Sequence, residues 1–268
     1  MLDCCGGALT LAGMNDTART ALVTGAAKRI GRAIALDLAA QGWAVAVHHN
    51  RSADEAAAVV REIEAGGGRA VALRADLTRE DEVRTLVPAA AERLGPLGLL
   101  VNNASPFVED DIAGAEREIW DLHLETNLRA PVVLIRDFAR QLPEGRHGNV
   151  VNMLDQRVLN LTPHFLSYTL SKSGLWTLTR TLALALAPRI RVNGIGPGPA
   201  MRSERQTEEQ FRAQWEAVPL ARATRPAEIC AAIRFILEAP SLTGQILALD
   251  GGEHLGWAQA SRGIVPEE

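Results

Sequence analysis

The sequence of 268 residues predicts a single α/β domain with a parallel β-sheet and helices on both faces. Short apolar runs alternate with longer segments in which apolar residues recur at helical spacing. Parallel strands are joined by crossover helices, so this alternation predicts the sheet. No linker or break in composition divides the chain. The hydrophobic content of 47% is enough for a sizeable core.

Four apolar runs in the first half predict strands, and a helical pattern follows each of them. The runs are TALVTG, WAVAVHH, RAVALRADL and LGLLVNNA. The first helix stops at Gly42. The second begins with a cap signal at Ser52, and the third is opened by Thr78 with acidic residues in its first turn.

The second half repeats this rhythm. A long helix is predicted over residues 116–141, with a kink at Pro131. The strand GNVVNML, an apolar helix ending at Pro188, the strand IRVNGIGPGP and a final strand QILALDGG follow in order.

Composition narrows the classes of partner. The net charge is −4, and the sequence lacks the long basic run that would indicate nucleic-acid binding. No apolar run approaches the roughly 18 residues that span a bilayer. Cys4, Cys5 and Cys230 form neither a metal-binding spacing nor a disulfide framework, which predicts a reducing compartment and no metal.

The N-terminus lacks the basic start and sustained apolar stretch of a signal peptide. Residues 1–18 are therefore expected to be a flexible extension, with Met14 as an alternative start, and residues 19–268 to be the folded domain. A cytoplasmic protein is expected.

The segment TGAAKRIG joins the first strand to the first helix, where a helix N-terminus offers N–H groups to a pyrophosphate. Gly25 allows a tight turn, Gly31 lets the helix approach the sheet, and Lys28 and Arg29 sit where a phosphate would lie. The strict G-x-G-x-x-G pattern is absent, so an ordinary strand–helix turn is the alternative.

The end of the second strand favours NADP(H) over NAD. NAD enzymes commonly place an acid there, but this sequence reads HHNRS, with no acid before Asp54. Arg51 could pair with a 2′-phosphate, and Ser52 could donate a hydrogen bond to it. The alternative is a solvated surface arginine.

A tyrosine and a lysine four residues apart suggest proton transfer. Tyr168, the one tyrosine of the chain, shares a helix face with Lys172, and Asp155 lies thirteen residues upstream. The ammonium is expected to lower the pKa of the phenol toward neutrality, so that it exchanges a proton while nicotinamide exchanges hydride. An isolated pair of this kind would be an exposed helix pair.

The chain resembles the short-chain dehydrogenase/reductase family from residue 20 to residue 255. The resemblance rests on TGAAKRIG, Asp76–Leu77, NNA (residues 102–104), Asn127, YTLSK and PGP. It implies a Rossmann-type doubly wound sheet of about seven strands, with nicotinamide above Tyr168 and Lys172. It also implies a homotetramer or dimer formed through the helices of Asn127 and Tyr168.

The resemblance further assigns roles to residues. The catalytic set is Asp155, Tyr168, Lys172, which binds the nicotinamide ribose, and Asn127, which holds a relay water. The cofactor set is Gly25, Lys28, Arg29, Ile30, Gly31, His49, Asn50, Arg51, Ser52, Asp76, Leu77, Asn103, Ala104, Ser105, Tyr168, Lys172, Pro197 and Gly198. The substrate set is Arg29, Ser105, Phe107, Asp155, Tyr168 and Pro199.

A narrower resemblance is to pteridine reductases. These enzymes have arginine where most relatives have glycine, here Arg29, and an Arg/Asn–Ser segment like residues 51–52. They follow Asn-Asn-Ala with Ser-x-Phe, here Ser105 and Phe107. They also place aspartate, here Asp155, where ordinary members have the catalytic serine.

Asp155 favours a nitrogen-containing substrate. An ionised carboxylate cannot donate to a carbonyl and repels an oxyanion, but it suits N–H donors or a C=N nitrogen that must be protonated. A pterin ring has both, and Phe107 could stack on it. Alternatively, Asp155 is a loop-capping acid and Phe107 an ordinary apolar loop residue.

The polar segment after PGP departs from the pteridine reductase pattern. Residues 200–215 are expected to form part of the pocket wall and lid, and Trp215 and Trp257 either line the pocket or pack elsewhere. Three functions stay open: an NADPH-dependent reductase of a pterin or dihydrofolate-like heterocycle, a reductase or dehydrogenase of an aliphatic carbonyl or alcohol, and a catalytically idle dinucleotide-binding regulator.

Overall fold

The computed structural model describes residues 18–203 and 206–256, and its centre is a sheet of seven parallel strands. The order across the sheet is β3-β2-β1-β4-β5-β6-β7. The strands are β1 Thr20–Val23, β2 Ala44–His49, β3 Ala70–Arg74, β4 Leu99–Asn102, β5 Gly148–Met153, β6 Ile190–Pro197 and β7 Ile246–Leu249.

Eight α-helices cover the two faces of this sheet in the part of the chain that the structure describes. They are α1 Arg29–Ala40, α2 Ala53–Ala65, α3 Glu80–Leu94, α4 Arg117–Leu124, α5 Ala130–Gln141, α6 Leu166–Ala185, α7 Glu208–Glu216 and α8 Pro226–Glu238. None of the described helices is long and apolar enough to cross a membrane.

The central strands are buried on both faces, which explains their uninterrupted apolar runs. All residues of β1 and β4 are buried. Val23 packs with helices α1, α2 and α8 on one face, whereas its neighbour Leu22 packs with α3 and α5 on the other. The predicted α/β architecture with helices on both faces is confirmed.

The chain order reverses at the boundary between β1 and β4. From β1 the chain runs outward through β2 and β3, and it then returns to β4 on the other side. In such sheets the crevice beyond the carboxyl ends of the two central strands is the usual ligand site. Thr24 closes the base of this crevice, because its amide donates to the Val101 carbonyl at 3.0 Å.

The predicted long helix is divided rather than simply kinked. A π-helical turn, Glu125–Arg129, joins α4 to α5 directly before Pro131. Proline has no N–H to donate to the preceding turn, so a local change of hydrogen bonding is expected there. The π-turn contains the buried Asn127.

Helix starts differ slightly from the sequence prediction. Helix α3 begins at Glu80 with Arg79 as its N-cap, and the Thr78 hydroxyl instead donates to Asp76 at 2.7 Å. Ser52 is the N-cap residue of α2, but its side chain makes no capping hydrogen bond.

Helices α7 and α8, between β6 and β7, are not among the predicted elements. Helix α7 begins with a capping box, in which Thr207 accepts from the Gln210 amide and Gln210 accepts from the Thr207 amide. Helix α8 has Pro226 in its first turn. Both signals are present in the sequence. Residues 1–17 of the predicted extension over residues 1–18 lie outside the described residues, as does Trp257.

Candidate active site

A cavity of about 1040 Å³ opens at the carboxyl ends of the central strands. It is lined by most of the residues that are predicted from the sequence to bind cofactor or substrate or to act in catalysis. Those that line it are Gly25, Lys28, Arg29, Ile30, Gly31, Asn103, Ala104, Ser105, Phe107, Asp155, Tyr168, Lys172, Pro197, Gly198 and Pro199.

Six further predicted cofactor residues stand at the carboxyl ends of two neighbouring strands. His49 ends β2 and is followed by Asn50, Arg51 and Ser52, and Asp76 and Leu77 come after the adjacent β3. Burial raises the pKa of the Asp76 carboxyl, but hydrogen bonds from Thr78 and Asn50 and the charge of Arg51 lower it overall. Asn50 and Arg51, after β2, therefore lie close to Asp76, after β3.

Two glycines shape the turn between β1 and α1. Gly25 has a φ of +63°, in the left-handed region that glycine adopts without strain. A Cβ on Gly31 would lie 2.1 Å from the Gly25 carbonyl oxygen, so only glycine fits there. Helix α1 can thus start directly under the turn, and its N-cap residue, Lys28, makes no side-chain capping bond.

His48 holds this turn in place, a role that the sequence analysis does not assign. The Gly25 amide donates to His48 Nδ1 at 3.0 Å, and Nε2 lies 3.1 Å from the Ala75 carbonyl oxygen. Because Nδ1 accepts, the proton is on Nε2 and is donated to Ala75. Burial lowers the pKa of His48 to about 4, which keeps the ring neutral.

Asn103 and Thr24 connect the turn to β4. The Thr24 hydroxyl accepts from the amides of Asn103 and Ala104, both at 2.9 Å. The Asn103 carboxamide donates to the Thr24 carbonyl at 2.8 Å and to that of Gly25 at 3.3 Å. Asn103 therefore supports the glycine turn.

Arg29 adopts an unusual backbone conformation for a side-chain-bearing residue. Its φ is +53°, in the left-handed region that residues with a Cβ rarely adopt. Its guanidinium reaches across the cavity and donates to the carbonyl of Arg202 at 2.7 Å and that of Met201 at 3.1 Å. Arg29 therefore connects the first helix to the segment after β6.

Lys28 points away from this contact. Its ammonium pairs with Glu55 on α2 at 2.7 Å, and both side chains are about half exposed. Such a pair contributes little to stability because water screens it, so Lys28 is readily available to another anion.

Tyr168 and Asp155 are in direct contact within the cavity. Asp155 follows β5, Tyr168 lies in the first turn of α6, and the tyrosine hydroxyl donates to Asp155 Oδ2 at 2.8 Å. The backbone amide of Arg157 donates to Asp155 Oδ1 at 2.9 Å. Asp155 is thus a turn-capping acid, as one alternative held, and also a neighbour of the tyrosine.

Arg157 is the main residue that the sequence analysis misses. Its Nη1 donates to both Asp155 oxygens, each at 3.1 Å, and the two side chains are only 16% and 13% exposed. The guanidinium carbon lies 5.5 Å from the Phe107 ring centroid and 5.4 Å from that of Phe165. An arginine two residues after a turn acid is the signal that could have revealed it.

The expectation for the tyrosine pKa is wrong in this structure. Burial and the charge of Asp155 raise the pKa of Tyr168 well above its usual value, although Arg157 opposes the shift. Lys172 donates to the Met153 carbonyl at 2.6 Å, and its ammonium lies 5.7 Å from the Tyr168 ring centroid. Burial lowers the pKa of Lys172 to about 8. The phenol is therefore protonated at neutral pH.

Asn127 lies behind the tyrosine. Its carboxamide nitrogen donates to the Ser171 hydroxyl at 3.0 Å, and this hydroxyl donates to the Tyr168 carbonyl at 2.7 Å. The predicted proton relay through Asn127 stays a prediction.

Two aromatic rings form one wall of the cavity. Phe107 and Phe165 are stacked, with centroids 4.2 Å apart and an angle of 11° between the rings. Phe107 also meets the Tyr168 ring edge-on at 4.8 Å. Phe165 therefore covers one face of Phe107 and itself lines the cavity.

The segment after β6 contributes the wall expected of it. Met201, Ser203, Gln206, Phe211 and Gln214 line the cavity, with the last two on α7. Trp215 is half-buried and is not among the lining residues, which favours packing elsewhere.

A second acid, Glu253, also lines the cavity and is absent from the predicted site. Burial raises the pKa of its carboxyl to about 7, Arg157 lowers it, and Asp155 and Asp250 raise it further.

Comparison with known proteins identifies the family. The family model described as enoyl-(acyl carrier protein) reductase matches residues 25–254. A 3-oxoacyl-[acyl-carrier-protein] reductase from Synechocystis sp. is 32% identical over 240 residues, which are 88% of this chain and 97% of the relative. The chain belongs to the short-chain dehydrogenase/reductase family.

Solved structures of this family are closely similar. FolM Alternative dihydrofolate reductase 1 from Brucella canis, complexed with NADP, is 50% identical with a TM-score of 0.88, covering 92% of this chain and 98% of that one. The corresponding protein from Brucella suis, also complexed with NADP, is 52% identical with a TM-score of 0.87, covering 90% and 96%. The predicted Rossmann-type fold and oxidoreductase class are thus confirmed.

The cavity fits a dinucleotide of the kind this family uses. The turn from Gly25 to Gly31 lines the cavity at the start of α1, where a pyrophosphate would be bound. Tyr168 and Lys172 would hold the nicotinamide end, and the residues after β2 would hold the adenosine end.

Proposed function

We propose that this protein is an NADPH-dependent reductase of a flat heterocycle, a pterin or dihydrofolate-like compound, within a pteridine reductase-like subgroup. The observation that carries the proposal is the 2.8 Å hydrogen bond from the Tyr168 hydroxyl to Asp155, where most relatives place serine. The Brucella proteins that share about half of its sequence, and that bear the name dihydrofolate reductase, support it.

In the proposed reaction the cofactor supplies a hydride and a protein side chain supplies a proton. When bound, NADPH supplies the hydride that reduces the carbon of a C=N bond. Tyr168 donates the proton to the nitrogen, because its raised pKa keeps it protonated at neutral pH. One hydride and one proton together convert C=N to CH–NH. Asp155 orients the phenol and accepts a hydrogen bond from a ring N–H.

NADP(H) is the cofactor in this proposal. Arg51 and Ser52, after β2, would bind the 2′-phosphate, and no acid of β2 or of the residues directly after it opposes that charge. The Brucella structures complexed with NADP support this assignment.

A second candidate function is reduction of an aliphatic carbonyl. Arg157 holds both oxygens of Asp155 and offsets the negative charge that would repel an oxyanion. The 32% identity to 3-oxoacyl-[acyl-carrier-protein] reductases also favours it. The third candidate, a catalytically idle regulator, has no use for a buried proton donor such as Tyr168.

Steady-state NADPH oxidation tests the three candidates. We expect turnover with dihydrobiopterin, dihydromonapterin or dihydrofolate, and at least a 10²-fold loss on Tyr168→Phe. No oxidation with any of the three removes the heterocycle proposal. Turnover with ketones or oxoacyl thioesters then supports the carbonyl reductase, and Asp155→Ser should raise that activity. Cofactor binding without turnover in either panel supports the regulator.

We also propose assembly into a homotetramer or dimer and a cytoplasmic location. Helix α6 exposes Leu170 and Leu184, which supports burial of this helix between subunits. Light scattering on the purified protein measures the assembly, and a monomeric mass at micromolar concentration would contradict it.

A further inference from the structure

Glu253 faces the active-site cavity but has no role in the proton transfer described above. It begins the short 3-10 turn Glu253–Leu255 after β7, is half-buried, and lines the same cavity as Asp155 and Tyr168. The turn packs against the turn Gln156–Val158, which contains Arg157.

The position of Glu253 is fixed by its own turn. The buried Asp250 accepts from the Gly252 amide at 3.0 Å and from the His254 amide at 2.8 Å. Asn160, after the arginine turn, donates to the Gly256 carbonyl at 2.7 Å. The Leu220 amide, after α7, donates to the Gly251 carbonyl at 3.0 Å. The turn of Glu253 is thus held beside the catalytic turn by contacts on both of its sides.

The charge of Glu253 changes near neutral pH. Burial raises the pKa of the Glu253 carboxyl to about 7. The charge of Arg157 lowers this pKa, and the charges of Asp155 and Asp250 raise it. Among the described residues, the other charged or titratable groups that line the cavity are Lys28, Arg29, Asp155, Arg157, Tyr168 and Lys172, and Asp250 and His254 lie in or beside the turn of Glu253. Helix α7 contributes the neutral Phe211 and Gln214. The carboxyl is therefore neutral at pH 6 and anionic at pH 8.

We propose that Glu253 is a specificity-determining residue that selects the substituent carried by the substrate ring, accepting hydrogen bonds from neutral donors and repelling acids. The proposal rests on the proposed reduction of a heterocycle at Asp155 and Tyr168. A substituent that extends past Asp155 and Arg157 passes Glu253. Arg157 is paired with Asp155 and therefore offsets only part of the charge of Glu253, so ionised Glu253 repels a carboxylate on the substituent.

The test compares two substrates with the same ring. Dihydrobiopterin carries a neutral hydroxylated substituent, and dihydrofolate carries two carboxylates that stay ionised from pH 6 to pH 8. In the wild-type protein, kcat/KM for dihydrofolate relative to dihydrobiopterin should fall about fivefold between pH 6 and pH 8. In Glu253→Gln this ratio should be constant with pH and about fivefold above wild type at pH 8, through KM and not kcat.

Glu64→Gln is the matched control, because Glu64 is an exposed carboxyl on α2. It should retain the wild-type ratio at both pH values. A wild-type ratio in Glu253→Gln at pH 6 and pH 8 would overturn the proposal.

Binding separates this proposal from the proposed function. Calorimetric titration of the NADP⁺ complex with folate and biopterin measures the same selectivity without turnover. If neither dihydro compound is reduced but Glu253→Gln still gains about fivefold for folate over biopterin at pH 8, the selectivity stands and the reductase proposal falls. If the two affinities change equally, Glu253 does not select the substituent.

Discussion

The Tyr168 hydroxyl donates a hydrogen bond of 2.8 Å to Asp155, and Arg157 binds the same carboxylate through Nη1. The tyrosine is thus joined to an ion pair. Burial and the charge of Asp155 raise its pKa against the opposing charge of Arg157, and this keeps the phenol protonated. A serine in place of Asp155 would carry no charge and could itself donate to a substrate oxygen.

Asp155→Asn tests the charge of this contact without removing its side-chain volume. The amide keeps a hydrogen-bonding group near Tyr168 but leaves the buried Arg157 without its counter-charge. We expect kcat for heterocycle reduction to fall at least 10²-fold, and the pKa of Tyr168 to fall because the negative charge is lost. The pH–rate profile and ultraviolet titration of the single tyrosine measure these effects. An unchanged kcat would contradict the assigned role.

His48 should make stability depend on pH in acid. The pKa of His48 is about 4 in the folded protein and 6.5 in the unfolded chain. As the pH falls, the unfolded chain therefore binds the proton before the folded protein does. The stabilising contribution is fully present above pH 6.5 and is lost as the pH falls toward 4, by about 3 kcal/mol at most. Urea unfolding from pH 7 to pH 4 measures it.

Two variants separate His48 from other acid-sensitive groups. His48→Asn should remove most of this slope, whereas His147→Asn, at an exposed position, should retain it. Equal slopes in the wild type and in His48→Asn would show that another group is responsible.

Arg29→Gly should separate strain from function. The left-handed backbone of Arg29 costs about 1 kcal/mol of strain, which glycine removes. Glycine also makes the unfolded chain more flexible, which lowers stability and offsets this gain. We expect an unfolding free energy within about 1 kcal/mol of wild type. The KM values for NADPH and substrate should rise about tenfold, because two charge-assisted bonds to the carbonyls of Met201 and Arg202 are lost.

Arg29→Ala is the control for this separation. It loses the same bonds but keeps the unfavourable φ, so it should be less stable than Arg29→Gly by about 1 kcal/mol. Thermal unfolding and steady-state kinetics on both variants give the two readouts. Equal stability of the two variants would contradict the strain argument.

Gly31→Ala should damage the dinucleotide site. A Cβ there would lie 2.1 Å from the Gly25 carbonyl oxygen, which is main chain and cannot turn aside. We expect a loss of NADPH affinity of at least tenfold together with a lower Tm. Gly114→Ala is a fair control, because its Cβ would have only an ordinary contact at 3.6 Å. Full NADPH affinity in Gly31→Ala would show that the turn can move.

The sequence predicts the strands well because parallel strands covered on both faces are short and rich in apolar residues. All seven predicted runs are strands in the structure, from β1 Thr20–Val23 to β7 Ile246–Leu249. Helix α7 was missed because its residues are mostly polar and none is buried, so no periodic apolar face marks it.

Individual side-chain contacts are less predictable. His48 contacts Gly25, Arg157 contacts Phe107, and Glu253 lies near Arg157, and all three contacts join residues that are distant in the chain. Arg157 also offsets part of the charge of Asp155, which lessens how far that acid disfavours a carbonyl. Asp155, by contrast, was found because its spacing to Tyr168 is itself a pattern.

Arg51→Ala should change the choice of cofactor. Arg51 is exposed after β2, beside Asp76, and its side chain is proposed to bind the 2′-phosphate of NADPH. Loss of a charge-assisted hydrogen bond of this kind costs roughly 1.5–3 kcal/mol. We therefore expect kcat/KM for NADPH to fall about 10- to 100-fold while that for NADH changes little. Because the 2′-phosphate is the only chemical difference between the two cofactors, the ratio isolates this contact.

The control is Arg61→Ala, which replaces an exposed arginine on α2 and should leave both values unchanged. An equal loss for NADPH and NADH would mean that Arg51 supports the loop after β2, for example through Asp76, and does not bind the phosphate.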